Sequence, residues 1–136
     1  MTVLNIAAAC LLDAQGRLLL VRKRHTQAFM LPGGKSEPGE SVIAALQREL
    51  LEELNLQLPE HQFSRLGHFR APAANEPDTW VEADIFVARL DQPVAPAAEL
   101  EELAWLAADQ PYPATLAPLL REHVLPALRA LPGLFA

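Results

Sequence analysis

The chain has 136 residues, 51% of them hydrophobic and 21% charged, with a formal net charge of −6. This length and hydropathy support one compact domain with its own core and exclude the low-hydrophobicity signature of disorder. The acidic balance argues against a broad surface for nucleic acid polymers, and no stretch approaches the roughly 20 apolar residues of a membrane span.

Residues 3–12 are apolar on both alternations, Asp13 to Gly16 supply a turn, and residues 17–24 resume with Leu18, Leu19, Leu20 and Val21. Two covered strands in a hairpin are expected. Cys10, the only cysteine, falls inside the first of them and is expected to be a small buried side chain. With no disulfide to form and no basic region ahead of a long apolar segment, the expectation is a cytoplasmic protein in a reducing compartment.

Residues 25–34 and 35–40 read as loop, each ending on or containing a Pro-Gly pair. A helix is predicted from Ser41, a suitable N-cap, to Asn55, a residue tolerant of the left-handed conformation in which helices often end. Val42, Ile43, Leu46, Leu50 and Leu54 share one side of its wheel, and Glu49, Glu52 and Glu53 occupy the neighbouring arc. Ala45 stands one turn before Glu49 and leaves room for a ligand there.

Residues 63–70 and 79–90 read as strands around a loop, 71–78, that contains two prolines. A Pro/Ala-rich connector, 91–98, leads to 99–106, read as a strand although its Glu/Leu pattern also suits a helix. Residues 115–131 carry Leu116, Leu119, Leu120, Val124 and Leu128 at helical spacing, interrupted by Pro126. Strands of a covered sheet with two helices give an α+β class, an α/β/α sandwich.

Local stability does not explain the three glutamates. Like charges at i,i+3 and i,i+4 each cost a helix about 0.2–0.5 kcal/mol, and negative charge near a C-terminus opposes the macrodipole. A divalent cation reverses the sign, because oxygen ligands clustered on one arc then become attractive.

Gly34, Glu40 and the run Arg48, Glu49, Leu50, Leu51, Glu52, Glu53, Leu54, Asn55, Leu56 stand at fixed offsets that strongly resemble the Nudix box, the signature of the Nudix hydrolase family. The one departure is Asn55, where that family usually has glycine. The resemblance implies a mixed sheet between helices over residues 1–136 and hydrolysis of a diphosphate linkage in a nucleoside diphosphate derivative, with Mg²⁺ or Mn²⁺ as cofactor and water as nucleophile. It further implies that Glu52 and Glu53 bind metal, that Glu49 is a ligand or the base, that Gly34 offers its carbonyl, and that Arg48 and Glu40 orient the acidic cluster. Lys35 is expected to touch a phosphate. A small nucleotide such as a (d)NTP is preferred over a nucleotide sugar or ADP-ribose, and a homodimer is kept as an expectation. The competing readings are a Nudix-like domain that binds or senses nucleotide without turnover, and an acidic interaction domain.

Among secondary candidates, Glu99, Glu101 and Glu102 form a second acidic group from which an extra ligand or base is drawn, Glu99 and Glu102 foremost. Glu76, Asp78, Glu82 and Asp84 are poorer choices. Arg22, Lys23, Arg24 and His25 end a strand just before the box, and Arg22 and Arg24 are taken as phosphate-facing. Phe29, Phe69, Trp80 and Tyr112 are candidates to stack on a base. The histidines His25, His61, His68 and His123 show no zinc spacing, and no serine or cysteine nucleophile motif occurs.

Overall fold

A computed structural model describes residues 1–113 and 115–135. The strands are β1 (Thr2–Leu12), β2 (Leu18–Lys23), β3 (Gly33–Lys35), β4 (Ser64–Pro72), β5 (Thr79–Arg89) and β6 (Leu100–Leu106), and helix α1 spans Val42–Leu54. They form one mixed sheet in the order β4-β5-β1-β2-β6, with β3 paired to β1.

The hairpin turn is built as its residues dictate. Asp13 Oδ1 accepts the backbone N–H groups of Gln15 and Arg17, and Gly16 takes φ 77°. The strands it joins then diverge. β1 lies parallel to β5 along its whole length, but its contact with β2 is confined to Leu12 opposite Leu18, while Ile6, Ala7 and Ala8 pair with β3. This split between β2 and β3 opens the sheet where the functional groups gather.

Segment β3 corrects the expectation of loop for residues 25–34 and 35–40. Two glycines and a lysine have no strand propensity of their own, and only the edge offered by β1 makes them one. Gly33 takes φ 149°, and an added Cβ there would overlap the Ala7 carbonyl oxygen and the Ala8 backbone.

The alternation of β1 distributes two cores. Ala7, Ala9 and Leu11 face α1 with Leu46, Leu50 and Leu54, whereas Ala8, Cys10 and Leu12 face the C-terminal helix with Leu120, Val124, Leu125 and Leu128. The α/β/α sandwich follows from this two-sided burial. Ala45 is fully buried against the sheet, so its small size serves close helix packing rather than room for a ligand.

Helix α1 has the predicted ends. Ser41 Oγ accepts the N–H of Ala44 at 3.1 Å, and Asn55 sits at φ 52°, ψ 38° with its N–H on the carbonyls of Leu50 and Leu51. Asn55→Ala is expected to lower stability by about 1 kcal/mol and Asn55→Gly to leave it within a few tenths, as measured by urea unfolding.

The C-terminal helix is shorter than residues 115–131. Phe29 and Thr115–Ala117 pair as extended chain, through Phe29 N–H to the Thr115 carbonyl and Ala117 N–H to the Phe29 carbonyl, both at 2.9 Å. The helix then runs through a π-type turn, Leu120–Val124, into α2, Leu125–Arg129. Leu125 donates five residues back, to Leu120, and Pro126 follows directly. The wider turn accommodates a proline that lacks an N–H and whose ring crowds the carbonyl four residues earlier. No described helix is long and apolar enough to cross a membrane.

Candidate active site

Arg48 organises the predicted box. Its Nε and Nη2 donate to the two carboxylate oxygens of Glu40 at 2.8 and 3.1 Å, Nη1 donates to Glu49 Oε1 at 2.9 Å, and Nη2 also reaches the Lys35 carbonyl at 3.0 Å. Such a two-pronged pair is the geometry that a planar guanidinium favours. Glu40 is itself placed by a turn, Glu37-Pro38-Gly39-Glu40, in which Gly39 takes φ 81° and the Glu40 N–H bonds the Glu37 carbonyl. The Arg48 hydrogen bonds hold the Glu40 carboxyl below its ordinary range.

The three glutamates of α1, equivalent by charge, receive different surroundings. Glu53 is only 2% exposed, and its Oε1 accepts the Gly33 N–H at 3.0 Å. Burial raises its pKa to about 7, the Glu49 and Glu99 carboxylates push the same way, and the Gly33 N–H and the Lys23 charge oppose them. Glu49 is part-buried; desolvation lifts its pKa against the hydrogen bond from Arg48. Glu52 is 55% exposed, with Arg48 Nη1 3.8 Å away.

Gly34 lies directly against Glu49, so closely that a Cβ on Gly34 would fall inside that carboxylate. β3 and α1 thereby bring together Gly34, Lys35, Arg48, Glu49 and, one turn on, Glu53. Among the described residues no three His, Cys, Asp or Glu side chains close around a metal position; Arg48 donates to Glu49 and the Gly33 N–H to Glu53. The donors nevertheless suit a hard divalent cation. They are all oxygen, two are carboxylates whose charge burial disfavours, and the Gly34 backbone approaches where any side chain would obstruct.

Gly34, Lys35, Arg48 and Glu49 line a cleft of about 650 Å³, whereas Glu52 and Glu53 do not. Its floor is apolar, with Leu4, Ile6 and Ala8 of β1, Val81 of β5 and Leu119, and residues 72–76 form one wall. Its charged lining includes Lys23, Lys35, Arg48, Glu49 and Glu99.

Several expected residues lie elsewhere. Arg22 donates to Glu102 at 3.1 Å and to the Thr26 carbonyl at 2.9 Å, opposite Glu102 in the β2–β6 ladder; neither lines the cleft, nor does Arg24. Of the second acidic group only Glu99 does. None of Phe29, Phe69, Trp80 and Tyr112 lines it either: the first two and Tyr112 pack on the core beneath the C-terminal helix, and Trp80 carries the Arg70 guanidinium at 5.3 Å. Glu82 and Asp84 hold His68, whose pKa they raise, and Asp78 pairs with the N-terminus, while Glu76 stands on the cleft wall.

Lys23 is the cleft residue that sequence reasoning passed over in favour of its neighbours. It shares alternation with Leu19 and Val21, which face α1, whereas Arg22 follows Leu18 and Leu20 to the other side. That alternation puts Lys23 on the α1 face with the glutamates, while the apolar cleft residues Ile6, Ala8 and Leu119 lie on the opposite face, so parity alone does not assign a residue to the cleft.

Residues 1–128 match the family model described as NUDIX domain. Among solved structures, the fold is similar to a MutT protein from Methanosarcina mazei Go1 (TM-score 0.78, 21% identity, 95% of each chain) and a MutT NUDIX hydrolase from Burkholderia pseudomallei (0.72, 25% identity, 95% of this chain and 98% of that one). It is also similar to the NUDIX domain of Shewanella oneidensis NrtR, solved with ADP ribose (0.70, 18% identity, 96% and 88%). A human protein, 8-oxo-dGDP phosphatase NUDT18, is 37% identical over 57 residues, which is 40% of this chain and 18% of that protein. Taken with the mixed six-stranded sheet and the box that joins β3 to α1, the match over residues 1–128 shows that this chain belongs to the Nudix family.

Proposed function

We propose that this chain is an Mg²⁺- or Mn²⁺-dependent pyrophosphohydrolase, a single domain over residues 1–136 that cleaves a diphosphate linkage in a small nucleotide derivative by attack of water on phosphorus. The observation that carries the reading is Glu49, held by Arg48 in the lining of a cleft that also carries Lys23 and Lys35, with the buried Glu53 one helical turn away.

In this reading Glu52, Glu53, Glu49 and the Gly34 carbonyl hold the cation. When bound, a divalent cation supplies charge neutralisation on the diphosphate and lowers the pKa of water. Glu49, restrained by Arg48, is a ligand or the base that takes the proton from water, with Glu99, which also lines the cleft, the second candidate. Lys35 and Lys23 neutralise phosphate oxygens as the bond from phosphorus to the bridging oxygen breaks. Glu40 and Arg48 keep Glu49 and the Lys35 backbone in register. The apolar floor takes the remainder of the nucleotide, against aliphatic side chains rather than an aromatic stack.

Purified protein with Mg²⁺ is expected to hydrolyse at least one member of a panel that includes (d)NTPs, 8-oxo-dGDP, a nucleotide sugar and ADP-ribose, giving two phosphate-bearing products by mass or, from 8-oxo-dGDP, a nucleoside monophosphate and inorganic phosphate. Nucleotide binding without product would instead support the sensing reading, and neither binding nor product would remove both.

A further inference from the structure

The apolar part of the cleft is core left half-open. On the face of β1 and β5 that meets the C-terminal helix, Ala8, Ala83 and Ile85 are buried, whereas Leu4, Ile6 and Val81, on the same face by alternation, are only half-buried. Leu4 stands opposite Val81 in the parallel β1–β5 ladder, Ile6 follows two residues on, and Leu119 lines the same cleft from the helix side. Aliphatic side chains on a sheet face make a broad, shallow surface of the kind that a flat ring can cover.

This platform adjoins the groups placed around the diphosphate. Ile6 pairs with Lys35 and Ala7 with Gly34 in the β1–β3 ladder, so the two strands lie about 4.8 Å apart and a nucleotide with its phosphates at Gly34 and Lys35 has its base within reach of Leu4, Ile6 and Val81. The uncharged polar side chains of the cleft stand away from that floor. Thr26 donates its hydroxyl to the Lys23 carbonyl at 2.7 Å, Ser36 follows Lys35 on the side of the box, and Asn75 is exposed on the wall beside Glu76. Among the described residues no buried side-chain nitrogen or oxygen lacks a hydrogen-bond partner, so none is held in reserve for a base edge.

We infer that the cleft holds a nucleobase by its face and does not read its edge: Leu4, Ile6, Val81 and Leu119 accept bases of one size alike, and the diphosphate end sets the substrate class. This deepens the proposed function and rests on it. The physical basis is an asymmetry of recognition. A site built to hydrogen-bond its substrate rejects an analogue lacking the group by about 10⁴- to 10⁵-fold, because its own buried polar atoms are left unpaired, whereas an aliphatic surface distinguishes compounds only by the apolar area they cover. Adenine and guanine differ in their edge groups and hardly in ring area, as do cytosine and uracil.

Steady-state kinetics of the full chain with Mg²⁺ test this within whichever class of compound is hydrolysed, with the phosphate part fixed and the base varied. The kcat/KM values are expected to agree within tenfold among adenine, guanine and 8-oxoguanine compounds, and within tenfold between cytosine and uracil compounds. A thymine compound should exceed its uracil counterpart by up to about fourfold, the effect of burying one added methyl group. Val81→Ala should raise KM for adenine and guanine compounds by the same factor, about three- to tenfold, and Asn75→Ala should leave the ratio of the two bases within twofold. A preference above tenfold inside either size class, a larger change of ratio in Asn75→Ala, or a Val81→Ala protein of wild-type melting temperature whose KM is unchanged or rises for one base alone overturns the inference and leaves the pyrophosphohydrolase reading standing. If Val81→Ala fails to fold, Leu4→Ala carries the same expectation. A wild-type protein that hydrolyses no member of the panel removes the underlying reading instead.

Discussion

Glu53→Gln is expected to lower kcat by about 10³-fold while making the metal-free protein more stable above pH 7. The two effects share one cause. The carboxylate is 2% exposed with a single N–H donor, from Gly33, and the amide oxygen of glutamine can accept that same hydrogen bond in the same space. What the amide cannot do is carry the charge that a divalent cation requires.

The stability effect follows from the raised pKa. In the unfolded chain the Glu53 carboxyl titrates near 4.5 and in the folded chain at about 7, so between those values the native state holds a proton that the unfolded state has released. Native stability from this group is therefore fully present below pH 4.5 and lost as pH rises through 7, by about 3 kcal/mol in total. Glu53→Gln removes that loss, less the cost of an amide NH₂ group without a partner. His68, held by Asp84 and Glu82, and Glu49, lifted by desolvation, contribute with the same sign in both proteins, so the difference between their urea-unfolding profiles in chelator reads Glu53 together with its coupling to Glu49. Equal profiles, or a variant whose kcat with Mg²⁺ stays within tenfold of wild type, would overturn the assignment.

Adjacent glycines are expected to fail in opposite ways. Gly33→Ala places a methyl group against the Ala7 carbonyl oxygen and the Ala8 Cα, at a φ of 149° that alanine avoids. Both obstacles belong to the backbone of β1, so β3 must leave its partner or β1 must distort, at a cost of about 3 kcal/mol or more. For Gly34→Ala the nearest obstacle is the carboxylate end of Glu49, a flexible group that can swing aside. Its stability should fall by less than about 1 kcal/mol, but Glu49 then loses the position that Arg48 and β3 give it, and kcat should fall about 10²-fold. Urea unfolding and steady-state kinetics on the two variants test the contrast, and similar stability losses in both would refute it.

Helix α1 was legible to the residue, because its signals are short-range: a serine hydroxyl three residues from the N–H it accepts, apolar side chains every third or fourth position, and an asparagine able to close the C-terminus in the left-handed region. The same holds for the Asp13–Gly16 turn and for the box offsets, which join a glycine, an arginine and four glutamates within one continuous segment. Residues 115–131 misled for the converse reason. Their helical spacing is real, but pairing of Phe29 with Thr115–Ala117 claims the first residues as extended chain, and that partner lies far away in sequence.

The amino-acid sequence by itself therefore determined the family, the acidic helix and the two-sided sheet, since capping, periodicity and spacing act within a few residues of one another. Only the tertiary structure decided which carboxylate is buried, which lysines line the cleft and where a strand exists at all. Docking of α1 onto the alanines of β1 separates Glu53, Glu49 and Glu52 by exposure, and the divergence of β2 from β3 selects Lys23 and Glu99 for the cleft over Arg22 and Glu102. Desolvation and ion pairing depend on neighbours brought together across the fold, and those neighbours have no signature in any local stretch of the chain.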